Sequence, residues 1–462
     1  MRKRFDLPLL FAAIAVFGPG IVAAQDEIPG KVRLYGFVRN DVLFDSREVD
    51  TDPEEPYFFM PGGTTLVGEV DQNAVPSLRM LALTSRLGVK VSGYQIGETK
   101  VTGTIEGDFF VSSGSTATFR MRQAYMGLLW DNLELGDLLM NVGQTWHPMA
   151  ADLPHLTREE TGAPFNPSSR SPQILAHWAV GSFTWSGGVL YPVQYLPVGP
   201  SSTTEPLWNA RKEQYYPSTT NVTVKSADFV RYGLIPEVYL GVSFQKGGFL
   251  ARAGASLFSS QPRWDAPLVR VVDEENRELA YDMENTSTLS SRLFAVSPYV
   301  FLQYTHGSFQ VKAKSVLAQS GEHMNLLSGY GTTYNWKTHA LEYTPMQDWA
   351  SFISFQAGRK YQVMCMLGYM QQIGTTKALF ATRTESLNAL WLNTSFDPLI
   401  QRAFRVTPTL AYHLGKLTFS LEYNCTGAWF GDDRYYRERS GLYEDGHWVL
   451  DHRIEQMIRF SF

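Results

Sequence analysis

Apolar and polar side chains alternate with period two over long stretches of this chain. From Leu81 to Ser92, Leu81, Leu83, Leu87, Val89 and Val91 share one face with Ser85, while Ala82, Thr84, Arg86, Gly88, Lys90 and Ser92 share the other. From Lys100 to Phe109, Lys100, Thr102, Thr104, Glu106 and Asp108 oppose Val101, Gly103, Ile105, Gly107 and Phe109. The final stretch sets Leu450, Ile454, Ile458, Phe460 and Phe462 against Asp451, Arg453, Glu455, Arg459 and Ser461. Side chains of a strand point alternately to its two faces, so this period predicts strands, and helical periodicity is rare. Segments of this kind start near residues 31, 78, 100, 118, 133, 172, 182, 235, 248, 289, 308, 340, 360, 400, 416 and 447, which predicts about 16 strands. Long connections (46–77, 146–171, 193–234, 260–288, 320–338, 374–399, 431–446, and a shorter one at 112–117) alternate with short ones (93–99, 131–132, 180–181, 245–247, 305–307, 358–359, 414–415).

Alternation by itself fits a soluble sheet with one wet face as well as a membrane barrel. Length and connections decide between them. Many segments run about 10–15 residues, where soluble strands average about 5–6 and a tilted membrane strand needs about 9–11. Strict alternation of long and short connections is the asymmetry of an outer-membrane barrel, with short turns at one end and long loops at the other. Closure is then obligatory, because hydrocarbon offers no partner to an exposed strand edge. About sixteen strands enclose a lumen too wide for side chains alone to fill. The expected fold is an all-β transmembrane antiparallel barrel over residues 25–462. With only Gln25 to Gly30 ahead of the first strand, no plug domain is expected.

Composition agrees. Hydrophobic residues make up 44%, aromatics 13% and charged residues only 18%. That aromatic load excludes a disordered chain, and two cysteines exclude a disulfide scaffold. Cys365 and Cys425 fall on expected lipid-facing positions two strands apart, about 9.6 Å, beyond disulfide reach. No run of about 18 apolar residues follows residue 25, which excludes a helical membrane protein. Aromatic rings such as Tyr35, Trp130, Trp146, Trp178, Trp185, Tyr304, Trp349, Tyr369, Tyr412, Tyr423 and Trp429 fall near expected strand ends, where membrane–water interfaces favour them.

Residues 1–24 read as a cleaved secretory signal: Arg2, Lys3 and Arg4, then an apolar stretch from Leu7 to Phe17, then the small residues Ala23 and Ala24. Their removal takes three basic and one acidic residue from 40 and 45, leaving a net charge of −7. No basic field points to nucleic acid.

Five stretches resemble the DcaP-like outer-membrane porins in order and spacing: Leu34-Tyr35-Gly36-Phe37-Val38, Thr84-Ser85-Arg86-Leu87-Gly88-Val89, Ile105-Glu106-Gly107-Asp108-Phe109-Phe110, Phe119-Arg120-Met121-Arg122-Gln123-Ala124-Tyr125 and Gly143-Gln144-Thr145-Trp146. The resemblance is best over residues 31–175 and architectural afterwards. It implies a 16-stranded barrel, usually a homotrimer, passing small anionic solutes such as dicarboxylates. Some members carry an N-terminal coiled coil, for which no room is expected here.

A channel selects by width and lining charge. The long connection 146–171 is expected to fold inward as the constriction. It carries Asp152, His155, Arg158, Glu159, Glu160 and Arg170, stiffened by Pro148, Pro154, Pro164 and Pro167. Opposite it, the lumenal set Arg33, Arg39, Arg86, Lys90, Lys100, Arg120 and Arg122 outnumbers Asp41, Glu106 and Asp108. Guanidinium groups bind carboxylates bidentately, so a mild anion preference is expected, against the alternative that these charges only satisfy one another. Lys312, Lys314, Arg405, Arg453 and Arg459 nearly balance Glu237, Glu422, Asp451 and Glu455 on the remaining wall. The first loop holds Glu48, Asp50, Asp52, Glu54, Glu55, Glu69 and Asp71 against Arg47, without the spacing of a calcium loop. No hydrolase, metalloprotease, P-loop or dinucleotide motif occurs, so no catalytic, cofactor or metal set is assigned. The expected function is passive diffusion of small hydrophilic, anionic solutes; the alternative is a surface-exposed structural or adhesive barrel.

Overall fold

The computed structural model describes residues 30–50, 60–112, 116–158, 162–194, 198–209, 214–225, 230, 233–261, 267–271, 279–286, 292–335, 340–379, 390–392, 396–397, 399–432 and 440–462. The expected signal segment lies outside them, as do Glu159, Glu160, Asp52, Glu54 and Glu55.

Sixteen antiparallel wall strands follow one another around the barrel. They are β1 (Lys31–Asp45), β2 (in two pieces, Ser77–Leu81 and Arg86–Ile96), β3 (Thr99–Ser112), β4 (Thr116–Leu133), β5 (Gly136–Trp146), β6 (Arg170–Val180), β7 (Phe183–Leu190) and β8 (Glu237–Lys246). The circuit continues through β9 (Phe249–Ser260), β10 (Leu293–His306), β11 (Phe309–Gln319), β12 (Ala340–Gly358), β13 (Tyr361–Thr375), β14 (Ile400–Leu414), β15 (Leu417–Gly431) and β16 (Gly446–Ser461). β16 returns to β1 in a register running from Phe37↔Ser461 to Asp45↔Arg453. The terminal Phe462 exchanges backbone hydrogen bonds with Gly36, at 3.1 and 3.3 Å. The wall thus has no free edge, as lipid requires.

Each short connection is a two-residue turn: 97–98, 134–135, 181–182, 247–248, 307–308, 359–360 and 415–416. Five of them place a glycine at φ near +60° (Gly97, Gly181, Gly247, Gly307 and Gly415), a conformation that L side chains adopt at a steric cost. The opposite end carries the long loops, two of which form their own hairpins, Val198–Asn209 with Gln214–Lys225 and Pro267–Val271 with Leu279–Thr286.

Burial inverts the soluble pattern. On β16, Ile454 is 47% exposed while its neighbour Glu455 is 0% exposed; Leu450, Ile458 and Phe460 likewise face out, and Asp451 and Arg453 face in. β10 repeats this with Phe294, Val296, Val300 and Leu302 outside. An outward apolar face over every part of a closed sheet is satisfied by acyl chains and not by water. Rings flank the band at both ends: Trp178, Trp185, Tyr304 and Phe460 near the turns, Trp349 and Trp448 near the loops. Tyr35 departs from the expected belt, turning inward to donate from its hydroxyl to Glu106 at 3.0 Å. Cys365 and Cys425 are unbridged, on strands separated by β14. Among the described residues, no helix is long and apolar enough to cross a membrane.

The alternation within β2 is corrected by the structure. Residues 82–85 interrupt the strand, with Thr84 at φ 69°, and the facing switches there. Leu78 and Met80 point out before the break, Leu87 after it, while Arg79 reaches Asp45 inside. Leu81 therefore does not share a face with Leu87, because an irregular segment need not preserve the phase of a pleat.

Candidate pore lining and constriction

Adjacent strands bring the basic and acidic wall residues into register. Phe37, Arg86, Asp108 and Arg120 form one row across β1–β4. Asp108 accepts from Arg120 Nε at 2.8 Å and Arg122 Nη1 at 2.7 Å. Glu106 accepts from Arg122 Nε at 3.3 Å and Gln123 Nε2 at 3.1 Å, with Arg86 Nε at 3.7 Å. Arg39 clasps Asp41 at 2.8 Å and reaches Glu455 at 3.2 Å. Arg86 lies over the Phe37 ring and Lys90 over Tyr35, at 5.1 and 5.3 Å. Lys100 pairs with Asp131, and Arg33 is exposed.

The ladder is layered. The carboxylates lie beneath two of the guanidinium groups: the Glu106 and Asp108 side chains are 6% and 0% exposed, those of Arg86 and Arg120 16% and 21%, while Arg122 is buried with the acids. Buried acids hold the arginines extended, and the surface offered to the lumen is guanidinium N–H.

Residues 147–158 and 162–169 lie inside the barrel. Arg158 donates to Glu455 at 2.7 Å and contacts Asp41 at 2.8 Å. Thr157 N–H donates to Glu422 at 2.7 Å, and His155 N–H to Ser354 Oγ at 3.2 Å. From β11, Lys314 Nζ donates to Met149 O, Asn166 Oδ1 and Asp152 O, and Lys312 Nζ to Leu153 O at 2.9 Å. Arg252 on β9 pairs with Asp152. Arg405 on β14 donates to Ala163 O at 3.3 Å and lies over the Phe165 ring at 5.2 Å. Phe165 sits against Gly368 of β13, where a Cβ would come within 2.4 Å of its Cγ. The segment thus spans the bore from β9 to β1, and Lys314, Ser354, Glu422 and Arg453 are buried. On the facing wall Arg86, Lys90, Arg120, Asn141 and His177 keep partial exposure. Arg170 stands where the segment rejoins the wall, buried, 4.7 Å over the Trp146 ring, its N–H on Gln194 Oε1 at 2.7 Å.

Within this segment, burial and the neighbouring Lys312 push the His155 imidazole down to about 4 from 6.5, so it is neutral at pH 7. In the acidic first loop, Asp71 pairs with Arg47 at 3.1 Å.

Sequence reasoning did not assign Arg252, Lys312, Lys314 and Arg405 as anchors of the inward segment. Lys312, Lys314 and Arg405 were already placed on the lumenal wall by their parity, and Arg252 was not singled out; what was lacking was the path of the loop. It also missed a buried group of His147, Glu237 and His323, whose members come from three distant parts of the chain.

No protein-family model matches this chain, nor does any curated protein. Solved structures do. The outer membrane channel DcaP of Acinetobacter baumannii superposes with a TM-score of 0.60 at 15% identity, covering 96% of this chain and 100% of that one. OmpT of Vibrio cholerae gives 0.49 at 12% identity, covering 95% and 99%. An anion-selective porin from Comamonas acidovorans gives 0.48 at 10%, covering 94% and 100%. The chain has the outer-membrane barrel fold of DcaP.

Proposed function

We propose that this protein is an outer-membrane porin, a passive channel through which small hydrophilic solutes diffuse, with a preference for anions. The observation that carries the reading is the combination of an apolar exterior on a closed barrel with a charged loop crossing the interior. Such a wall is built for lipid outside and water inside, and the loop narrows the bore without a separate plug. The fold shared with the outer membrane channel DcaP supports both the channel and its location. Residues 1–24 supply the export signal, and assembly is as a homotrimer.

Anion preference rests on Arg39, Arg86, Lys90, Arg120 and Arg122 on the wall, with Arg158 and Arg170 from the loop and its end. Of these, Arg86 and Arg120 stand above Glu106 and Asp108 and Lys90 is exposed beside them, so a passing carboxylate meets these donors before the acids, while the buried Arg39, Arg122, Arg158 and Arg170 contribute through their charge. Solutes travel along the β2–β7 wall, because the inward segment is anchored on the wall that runs from β9 round to β1.

The test is reconstitution in a planar bilayer. Single-channel conductance with a reversal potential of anion sign is expected under a salt gradient. Combined Arg86→Gln and Arg120→Gln is expected to move that potential toward zero while conductance persists, more strongly at low ionic strength, where screening is weak. A silent bilayer refutes the channel; an unchanged potential refutes the role of the arginine layer.

A further inference from the structure

The strongest unassigned feature is the buried group where the inward segment leaves the wall. His147 is the first residue after β5, Glu237 opens β8, and His323 lies in the 3-10 turn Gly321–Met324 of the loop between β11 and β12. All three are at most 1% exposed, and their ligand atoms lie within 4.8 Å of one another. Glu237 Oε1 stands 2.9 Å from His147 Nε2 and 3.2 Å from His323 Nε2.

We propose that His147, Glu237 and His323 form a structural site for a divalent metal of the Zn2+ type, which ties the inward loop and the β11–β12 loop to the barrel wall.

Four features support it. First, the ligand set is two imidazoles and a carboxylate, the donors that borderline ions such as Zn2+ accept. Second, metal bonds of about 2.0–2.1 Å in a tetrahedron separate the ligand atoms by about 3.3–3.4 Å: the two contacts to Oε1 lengthen by a few tenths of an ångström, and the two imidazole nitrogens, which lie within 4.8 Å, settle to the same separation. Third, outer partners already orient the ligands. His323 Nδ1 donates to Ser320 O at 3.1 Å, which leaves Nε2 for the ion, and Ser256 donates to Glu237 Oε1. Fourth, Glu237 Oε2 is buried without a hydrogen-bond partner, as is Oε2 of the adjoining Glu322. An unpartnered buried carboxylate oxygen is costly, and a cation beside it removes that cost. One contact is given up: Met149 N–H points at His147 Nδ1 from 3.2 Å, and that nitrogen must carry the proton once Nε2 binds. Because the site is closed, the ion enters as the two loops pack and its binding adds to their docking.

The experiment uses the full-length mature protein in detergent, stripped with a chelator and re-supplied with Zn2+ or Co2+. About one ion per chain is expected after gel filtration, with a higher melting temperature and, for Co2+, the intense visible bands of a four-coordinate site. H147Q and H323Q, checked for folding by heat-modifiable gel mobility, are expected to weaken binding at least about tenfold, while H177Q on β6 leaves it unchanged. A wild-type protein that retains no ion overturns the proposal and leaves the three groups held by protons alone. Retention undiminished by H147Q and H323Q overturns it too. Should those variants fail to fold, the Co2+ spectrum of the wild type decides, since a weak six-coordinate spectrum is incompatible with this site.

Discussion

Arg158 Nε donates to Glu455 Oε1 at 2.7 Å across the lumen, joining residues 297 positions apart in the chain. Both side chains are buried, and Arg158 also contacts Asp41 on β1 at 2.8 Å. One guanidinium on the inward loop thus compensates two carboxylates on the closing seam of the barrel.

Removing that guanidinium leaves Asp41 and Glu455 facing each other without it. Arg39 still pairs with both carboxylates, so Arg158→Ala is expected to destabilise the loop by less than the roughly 3–5 kcal/mol of a fully orphaned buried charge, and to raise single-channel conductance. Conductance recordings and thermal unfolding check this together; unchanged conductance would show that the Arg158 clasp does not set the width.

Gly368 gives Phe165 its seat. Gly368→Ala puts a methyl 2.4 Å from the ring's Cγ, and the loop is expected to shift at a cost of about 1–3 kcal/mol. Phe165→Ala removes the clash, so a double-mutant cycle should show the pair to be less destabilised than the sum of the singles. Strict additivity would place the two apart.

The exterior is assigned to lipid, which Ile454 on β16 tests. Ile454→Arg is expected to cost about 2–4 kcal/mol of folding stability in bilayers, as a charge near the middle of the hydrocarbon. The same change at Leu66, exposed in the first long loop, should stay within about 0.5 kcal/mol. Denaturant unfolding in lipid vesicles gives both values, and equal costs would remove the lipid assignment.

His155 supplies a pH dependence. Its imidazole titrates at about 4 in the folded chain and at 6.5 when exposed, so the unfolded chain takes up the proton first. The contribution is fully present above about pH 6.5 and is lost as pH falls toward 4. Thermal unfolding across this interval should fall more steeply for the wild type than for H155Q; parallel profiles would mean that His155 does not report the packing of the loop.

Much of this architecture was legible in one dimension. A barrel wall is one residue thick, with acyl chains on one side and polar groups on the other, so each wall residue records its side directly as polar or apolar. That is why Asp451, Arg453 and Glu455 could be placed inside and Ile454 and Ile458 outside from their order alone. Short turns were visible to within a few residues, since Gly97, Gly247 and Gly415 stand where a two-residue reversal needs positive φ, but the connections expected at 93–99 and 131–132 are turns at 97–98 and 134–135, the strands running on to Ile96 and Leu133.

What the chain's order could not supply is any contact made across the bore. The inward course of residues 147–158 and 162–169 depends on which wall anchors face one another after closure, and Lys314, Arg405 and Gly368 reach it from three different strands. The switch of facing at Thr84 is a local departure from the pleat that composition does not mark. Likewise, His147, Glu237 and His323 meet only because closure brings two loops and a strand end to one point. Alternation fixes side, a short-range property set by solvent; partnership across the lumen is set by the path of the loop and the curvature of the closed sheet, and those exist only in three dimensions.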